Sequence, residues 1–140
     1  MTDYVADSSP VPRKSRYRRI TGPSDVATIC EPMVRYRQEV FRALLLNTKN
    51  GILKKVTISK GSLNASLVHP RDIFYAAIKA NAASIVLVHN HPSGDPEPSR
   101  EDREFTARIA RAGELLGIAI LDHVIVGKEG FVSLKERGVI

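Results

Sequence analysis

The segment at residues 84–116 constrains the fold most tightly, because it joins a buried strand to a helix through a stiff loop. Residues 84–90 read SIVLVHN, an apolar run rich in β-branched side chains that is typical of a strand buried on both faces. Residues 92–98, PSGDPEP, contain three prolines and a glycine and predict a rigid reversal of the chain. A helix is predicted from Ser99 to about Leu116, followed by a stop at Gly117. Its apolar residues recur at helical spacing: Phe105, Ile109, Ala112, Leu115 and Leu116.

The other segments predict an α/β fold class, with a mixed β-sheet flanked by helices. GPSDVATICEPMVRYR, from residue 22, predicts a short helix that Pro32 interrupts. QEVFRALLLNTKNGILKKVTISKG, from residue 38, predicts two strands joined by a tight turn at Asn50-Gly51. A helix is predicted to begin at Pro70, and IAILDHVIVG and GFVSL predict two strands that pair near the end of the chain.

The first 22 residues are predicted to be a disordered basic tail, and residues 23–140 a single folded domain. Five basic residues against two acidic ones give the tail a charge of +3, half of the chain's net +6. Such a tail either keeps the protein soluble or binds nucleic acid or an acidic partner. Its basic residues are Arg13, Lys14, Arg16, Arg18 and Arg19.

Composition excludes several classes of protein. No apolar run approaches the roughly 18–20 residues that span a bilayer, so no membrane contact is predicted. The N-terminus has no apolar stretch of signal-peptide length, which predicts a cytoplasmic protein. Cys30 is the single cysteine, which excludes an internal disulfide and a zinc finger built on several cysteines.

Two histidines, His89 and His91, lie where the buried strand ends. Side chains two apart on a strand point to the same face, with Cα atoms roughly 7 Å apart, so both imidazoles can face one point. Asp102 follows in the first turn of the helix that begins at Ser99. Two imidazole nitrogens and one carboxylate oxygen are the ligand set of a catalytic zinc, whose fourth position holds water.

Each of these residues also has a simpler interpretation. Ser99 followed three residues later by Asp102 fits a helix-capping pair, and an isolated histidine such as His89 is most often a hydrogen-bonded residue at a strand end. The joint pattern is more specific: His-x-His, seven residues, Ser, two residues, Asp. We interpret it as a metal site.

A zinc hydrolase also needs a general base, because the attacking water must lose a proton. Glu39 stands at the head of an apolar strand, on the same face as Phe41 and Ala43. A carboxylate facing a core is costly without a partner, and a metal-bound water would provide one. An exposed carboxylate at a frayed strand start explains Glu39 equally well.

Other polar residues near this pattern have open roles. Asp122 and His123 lie in a predicted strand, where a buried pair or a contact behind a ligand is favoured over direct metal binding. Asn90, Ser93 and Asp95 either orient the loop or contact a substrate.

At these residues the sequence resembles the JAB/MPN domain of the RadC family, which is related to the JAMM metalloproteases. The resemblance covers roughly residues 24–140 and is strongest at HNHPSGDP, residues 89–96. Later segments, LDHVIVG at 121–127 and FVSL at 131–134, are also similar to that family. The individual positions of the motif outside residues 89–96 are Glu39, Pro98, Ser99 and Asp102.

The resemblance implies a mixed sheet similar to the cytidine deaminase-like fold, with zinc (Zn2+) held by His89, His91 and Asp102. It implies Glu39 as the general acid/base and Ser99 as a hydrogen-bond partner of the water or the developing oxyanion. The implied activity is that of a zinc metallopeptidase, which hydrolyses peptide or isopeptide bonds in a peptide or protein substrate with a metal-activated water. The alternative is a RadC-like accessory protein in DNA repair that binds nucleic acid through the basic tail.

Overall fold

The structure is a computed structural model that describes residues 17–61 and 68–140. In these two ranges, five strands form one sheet in the order β2-β1-β3-β4-β5. The strands are β1 (Val40–Leu46), β2 (Ile52–Lys60), β3 (Ser84–Asn90), β4 (Ala119–Gly127) and β5 (Gly130–Ser133). The α-helices are α1 (Pro23–Ile29), α2 (Pro70–Lys79) and α3 (Arg100–Leu116), and a 3₁₀ helix spans Glu31–Arg35.

The sheet is mixed, as predicted. Strands β3 and β4 run parallel, whereas β1 pairs antiparallel with both β2 and β3, and β5 pairs antiparallel with β4. A parallel pair needs a crossover connection, and α3 provides it between β3 and β4. All residues of β3 are buried, as expected for an apolar strand at the centre of a covered sheet. The predicted fold class is therefore confirmed.

Helices cover both faces of the sheet. On one face, α2 and α3 pack over a core that includes Phe41, Ile85 and Leu87. On the other face, α1 and the 3₁₀ helix pack over a core that includes Leu44 and Val88. We refer to these as the α3 face and the α1 face. Because side chains alternate along a strand, neighbouring residues of β3 and β4 face different cores.

The structure departs from the sequence predictions at the hairpin. Residues 47–51 form a longer loop rather than a tight two-residue turn, because the amide oxygen of Asn47 accepts the N–H groups of Lys49 and Gly51. Helix α3 ends at Leu116, as predicted, and Leu115 in its last turn is 89% exposed. None of the helices in the described ranges is long and apolar enough to cross a membrane.

The first described residues contact the hairpin formed by β1 and β2. The amide of Ile20 donates to the Asn50 carbonyl, the amide of Ile52 donates to the Arg18 carbonyl, and Ile20 is buried. Residues 18–20 therefore pair with the loop end of the β1–β2 hairpin. Arg13, Lys14 and Arg16 lie outside the described residues, so the division into a tail and a domain stays a prediction.

Candidate metal centre

Strand β3 positions the two predicted histidine ligands. His89 lies on the α3 face and is fully buried, with its ring stacked on Phe41 at a centroid distance of 5.8 Å. His91 follows directly after the strand, and its amide still donates to the Val126 carbonyl of β4 at 2.9 Å. The Nε2 atoms of the two histidines consequently lie 3.1 Å apart.

The loop between β3 and α3 is held from two sides. The carbonyl of Gly94 accepts the Glu129 amide from the β4–β5 turn at 3.0 Å, and a Cβ atom on Gly127 would lie only 2.4 Å from that carbonyl oxygen. A bidentate ion pair joins Glu97 to Arg137, at 2.8 and 3.0 Å. These contacts fix the position at which α3 begins relative to His91.

Ser99 and Asp102 cap α3, as the simpler interpretation predicted. The Ser99 hydroxyl oxygen accepts the Asp102 amide at 3.0 Å, and Asp102 Oδ2 accepts the Ser99 amide at 2.9 Å. The same carboxylate faces the histidines, with Oδ2 at 3.2 Å from His91 Nε2 and Oδ1 at 3.5 Å from His89 Nε2. Capping thus aims the carboxylate at the histidines, and the two interpretations of Asp102 are compatible.

The donor atoms of His89, His91 and Asp102 fit a small divalent ion. All of them lie within 4.8 Å of one another. The two Nε2 atoms are 3.1 Å apart, Asp102 Oδ2 is 3.2 Å from His91 Nε2, and Asp102 Oδ1 is 3.5 Å from His89 Nε2. A tetrahedral zinc ion with bonds of about 2.0–2.1 Å separates its nitrogen and oxygen ligands by about 3.3 Å. This donor set supplies three ligands of a tetrahedral ion, and its imidazole and carboxylate chemistry suits several divalent metals.

The charges of the centre are arranged around Asp102. Burial alone would raise the pKa of Asp102, but hydrogen bonds from His89 and His91 outweigh it and hold that pKa well below the usual range. The hydrogen bond to Asp102 raises the pKa of His91, and the charge of Glu39 adds to this shift. Asp102 is therefore ionised at neutral pH and available as an anionic ligand.

Glu39 and Ser99 share a cleft with two of the metal-ligand candidates. Glu39 directly precedes β1, is half-buried and accepts the Gly61 amide at its carbonyl at 2.8 Å. The cleft has a volume of about 290 Å³. It is lined by Glu39, His91, Pro92, Ser93, Ser99 and Asp102. The structure thus brings together the residues predicted as base, oxyanion partner and metal ligands.

Asn90, whose role the sequence left open, holds the Glu39 segment in place. Its side chain is fully buried, so it does not contact a substrate. Its Oδ1 accepts the Val40 amide at 2.7 Å, and its Nδ2 donates to the Gln38 carbonyl at 3.0 Å. The residue between the two histidines therefore fixes the backbone on both sides of Glu39.

Two further residues lie behind His89, and sequence reasoning identified only one of them. Nε2 of His123 lies 2.7 Å from His89 Nδ1, and the hydroxyl of Thr106 lies 2.6 Å from His123 Nδ1. Burial lowers the pKa of His123, so its ring is neutral. Of the two alternatives for Asp122 and His123, the contact behind a candidate ligand forms at His123. The side-chain pair does not form, because the Asp122 carboxylate bonds to the amides of His123 and Lys135 and to the Ser133 hydroxyl. The signal for Thr106 is its position four residues after Asp102, on the same side of α3.

Comparisons with known proteins agree with these observations. A family described as the RadC-like JAB domain matches residues 20–139. The UPF0758 protein of Syntrophotalea carbinolica is 52% identical over 123 residues, which cover 87% of this chain and 54% of the relative. The UPF0758 protein of Halalkalibacterium halodurans is 56% identical over 120 residues, which cover 85% of this chain and 52% of the relative.

The UPF0758 protein of Geobacillus sp. (strain WCH70) is 55% identical over 122 residues, which cover 86% of this chain and 54% of the relative. The chain thus spans about half the length of the curated relatives it matches. The resemblance drawn from residues 89–102 is confirmed, and the chain belongs to the family of RadC-like JAB domains.

Proposed function

We propose that this domain is a metal-dependent hydrolase of the JAMM type that cleaves peptide or isopeptide bonds with zinc as its metal. The observation that carries the proposal is the convergence of the donor atoms of His89, His91 and Asp102. His91 and Asp102 line a cleft that Glu39 also lines, and His89 lies buried behind them. A ligand set and a carboxylate base in one cleft are the two requirements of metal-assisted hydrolysis.

The proposed roles follow from the positions of the side chains. A divalent ion held by the His/His/Asp set would lower the pKa of a water molecule and polarise the substrate carbonyl. Glu39 accepts a proton from the attacking water, whose oxygen forms a bond to the carbonyl carbon. Glu39 then delivers that proton to the amide nitrogen as the C–N bond breaks, so that a carboxylic acid and an amine leave the cleft.

Ser99 has a second role in this proposal. Its hydroxyl oxygen accepts the Asp102 amide, which leaves the hydroxyl hydrogen to donate to another group. Because Ser99 is exposed to the cleft, this hydrogen can bond to the carbonyl oxygen as it gains negative charge. One such donor typically contributes about 2.7–4 kcal/mol to transition-state stabilisation.

The substitution Glu39→Gln tests the proposal, because it keeps the shape of the side chain and removes the base. Zinc content is measured by elemental analysis, and cleavage with internally quenched peptide and lysine-linked isopeptide libraries. We expect the variant to keep its zinc and to lose about 10²–10⁴-fold in turnover. Glu114→Gln, an exposed position near the far end of α3, is the matched control and keeps both. An active Glu39→Gln variant would remove the base assignment, and an inactive zinc-loaded wild type would contradict the proposal.

Nucleic-acid binding through the basic N-terminal segment is the second candidate. In the described chain, Arg18 and Arg19 are exposed, and Arg19 Nε donates to the carbonyl of the exposed Lys49 at 3.0 Å. Basic side chains that neutralise phosphates give binding that falls steeply with salt. Fluorescence anisotropy with duplex DNA tests this candidate, for the whole chain and for a chain that lacks residues 1–16 and has Arg18 and Arg19 both replaced by glutamine. Equal binding by the two chains would contradict it.

A further inference from the structure

A line of buried side chains leads from His89 away from the cleft and into the core. His89 Nδ1 lies 2.7 Å from His123 Nε2, and His123 Nδ1 lies 2.6 Å from the Thr106 hydroxyl oxygen. The three side chains belong to β3, β4 and α3, and each is at most 1% exposed. Water therefore does not reach these nitrogens, and each depends on its protein partner.

The hydrogen bonds in this line can be arranged in two ways, with every donor pointing away from His89 or every donor pointing toward it. This is because a neutral imidazole carries one N–H and one lone pair. In the first, His89 donates from Nδ1 to His123, and His123 donates from Nδ1 to Thr106. His89 then has a lone pair at Nε2, as a metal ligand requires. In the second, Thr106 donates to His123 and His123 donates to His89. His89 then carries a hydrogen at Nε2 and does not bind a metal.

The other candidate ligand, His91, does not have this ambiguity. Its Nδ1 lies 2.9 Å from the carbonyl oxygen of Asp95, and a carbonyl oxygen only accepts. A neutral His91 therefore always presents a lone pair at Nε2. The partner of His89 is an imidazole that both donates and accepts, so the Thr106 hydroxyl must accept in the first arrangement and donate in the second.

A metal bound at His89 Nε2 requires the first arrangement, in which the Thr106 hydroxyl oxygen accepts from His123 Nδ1 across 2.6 Å. Thr106 is the only partner of His123 Nδ1 among the described residues, so this arrangement depends on its oxygen. We propose that Thr106 and His123 are positioning residues that fix His89 as the tautomer whose Nε2 lone pair faces the metal position. This inference rests on the proposed function only in that the centre binds a divalent metal, and it does not depend on peptide cleavage.

The substitution Thr106→Val tests the inference, because valine has nearly the same shape and cannot accept a hydrogen bond. Zinc affinity is measured by competition with a fluorescent chelator, and folding by thermal unfolding. We expect zinc binding about 10–100-fold weaker than in the wild type, which is the usual effect of losing a partner behind a ligand. Thr106→Ser restores the wild-type affinity. Thr28→Val makes the same change at an exposed threonine of α1, whose hydroxyl donates to the Ser24 carbonyl at 2.9 Å, and leaves zinc binding unchanged.

Ring-nitrogen NMR of the zinc-loaded wild type reads the tautomers directly, even where the valine variant does not fold. We expect hydrogens on Nδ1 of both His89 and His123. A hydrogen on Nε2 of His123, or wild-type zinc affinity in Thr106→Val, would overturn the inference. If these results hold and no peptide is cleaved, the hydrolase proposal fails alone. A wild type that binds no zinc would overturn both.

Discussion

The two faces of the sheet use their buried polar side chains differently. On the α3 face, the rings of His89 and His123 contact each other, and His89 also faces the carboxylate of Asp102. On the α1 face, Asn90 and Asp122 bond mainly to backbone groups. His89 and Asn90 are neighbours in sequence but lie on opposite faces, and the same holds for Asp122 and His123, because side chains alternate along β3 and β4.

The buried polar side chains of the α3 face position the candidate metal ligands, whereas those of the α1 face hold the backbone in place. Asn90 holds the backbone around Glu39, and Asp122 accepts the Lys135 amide and the Ser133 hydroxyl, which ties the chain after β5 to the sheet. Loss of a group on the α3 face should therefore appear first in metal binding. Loss of a group on the α1 face should appear first in the free energy of unfolding or in the placement of Glu39.

The largest effect is expected for His89→Ala on the α3 face. The variant loses a ligand from the centre, and we expect it to lose stoichiometric zinc and all hydrolytic activity. Elemental analysis after gel filtration measures the zinc, and the quenched peptide library measures activity. His69→Ala removes a half-exposed histidine at the start of α2 and serves as the control, with zinc unchanged. Full zinc content in His89→Ala would show that the metal centre lies elsewhere.

Asn90→Ala tests the α1 face at the residue that directly follows His89 in the sequence. The variant leaves the Val40 amide and the Gln38 carbonyl without their partner, and Glu39 is then free to shift. A displacement of about 1 Å costs on the order of 10²-fold in rate, so turnover should fall by that factor while zinc binding persists. Activity and zinc content measured on the same sample decide this. Loss of zinc together with activity would place Asn90 with the ligands instead.

The clustering of the three predicted ligand residues could be anticipated because their geometry is local. His89, His91 and Asp102 lie within one strand–loop–helix unit, where the twofold period of the strand and the cap of the helix determine which way they point. Glu39 is distant in sequence. It reaches the cleft because β1 pairs with β3 in a register that sets Phe41 opposite His89.

The remaining features depend on contacts between elements that are distant in sequence, which no local pattern encodes. Helical spacing predicted the extent of α3 but not where the neighbouring core ends, and Leu115 in its last turn is 89% exposed. The contact between Thr106 and His123 depends on how α3 lies across β4. Ile20 is a single apolar residue after a basic run, and only its contact with the hairpin shows that it is ordered.

Asp122→Ala should affect stability and leave the metal centre intact. The carboxylate is nearly fully buried, and its loss leaves the Lys135 amide and the Ser133 hydroxyl without an acceptor. An unsatisfied buried donor costs about 1–3 kcal/mol in the free energy of unfolding. Urea unfolding of the metal-free protein measures this loss, and chelator competition measures zinc affinity. A large fall in zinc affinity at unchanged stability would contradict the division between the faces.

The smallest effect is a pH dependence confined to the α3 face. In the metal-free protein the hydrogen bond to Asp102 raises the pKa of His91, so its stabilisation is complete below the unfolded pKa of about 6.5 and is lost as pH rises through the folded value. Burial lowers the pKa of His123, so its destabilising effect disappears as pH rises to about 6.5 and does not mask the change above that pH.

Melting temperatures of the metal-free protein should therefore fall as the pH rises above about 6.5. Asp102→Asn removes the carboxylate that raises the pKa of His91, so this slope should flatten in that variant. In Asp122→Ala the slope should persist at a lower melting temperature, because Asp122 lies on the α1 face. A wild-type slope in Asp102→Asn would mean that groups outside the candidate centre control the pH dependence, and the two faces would then not differ in this respect.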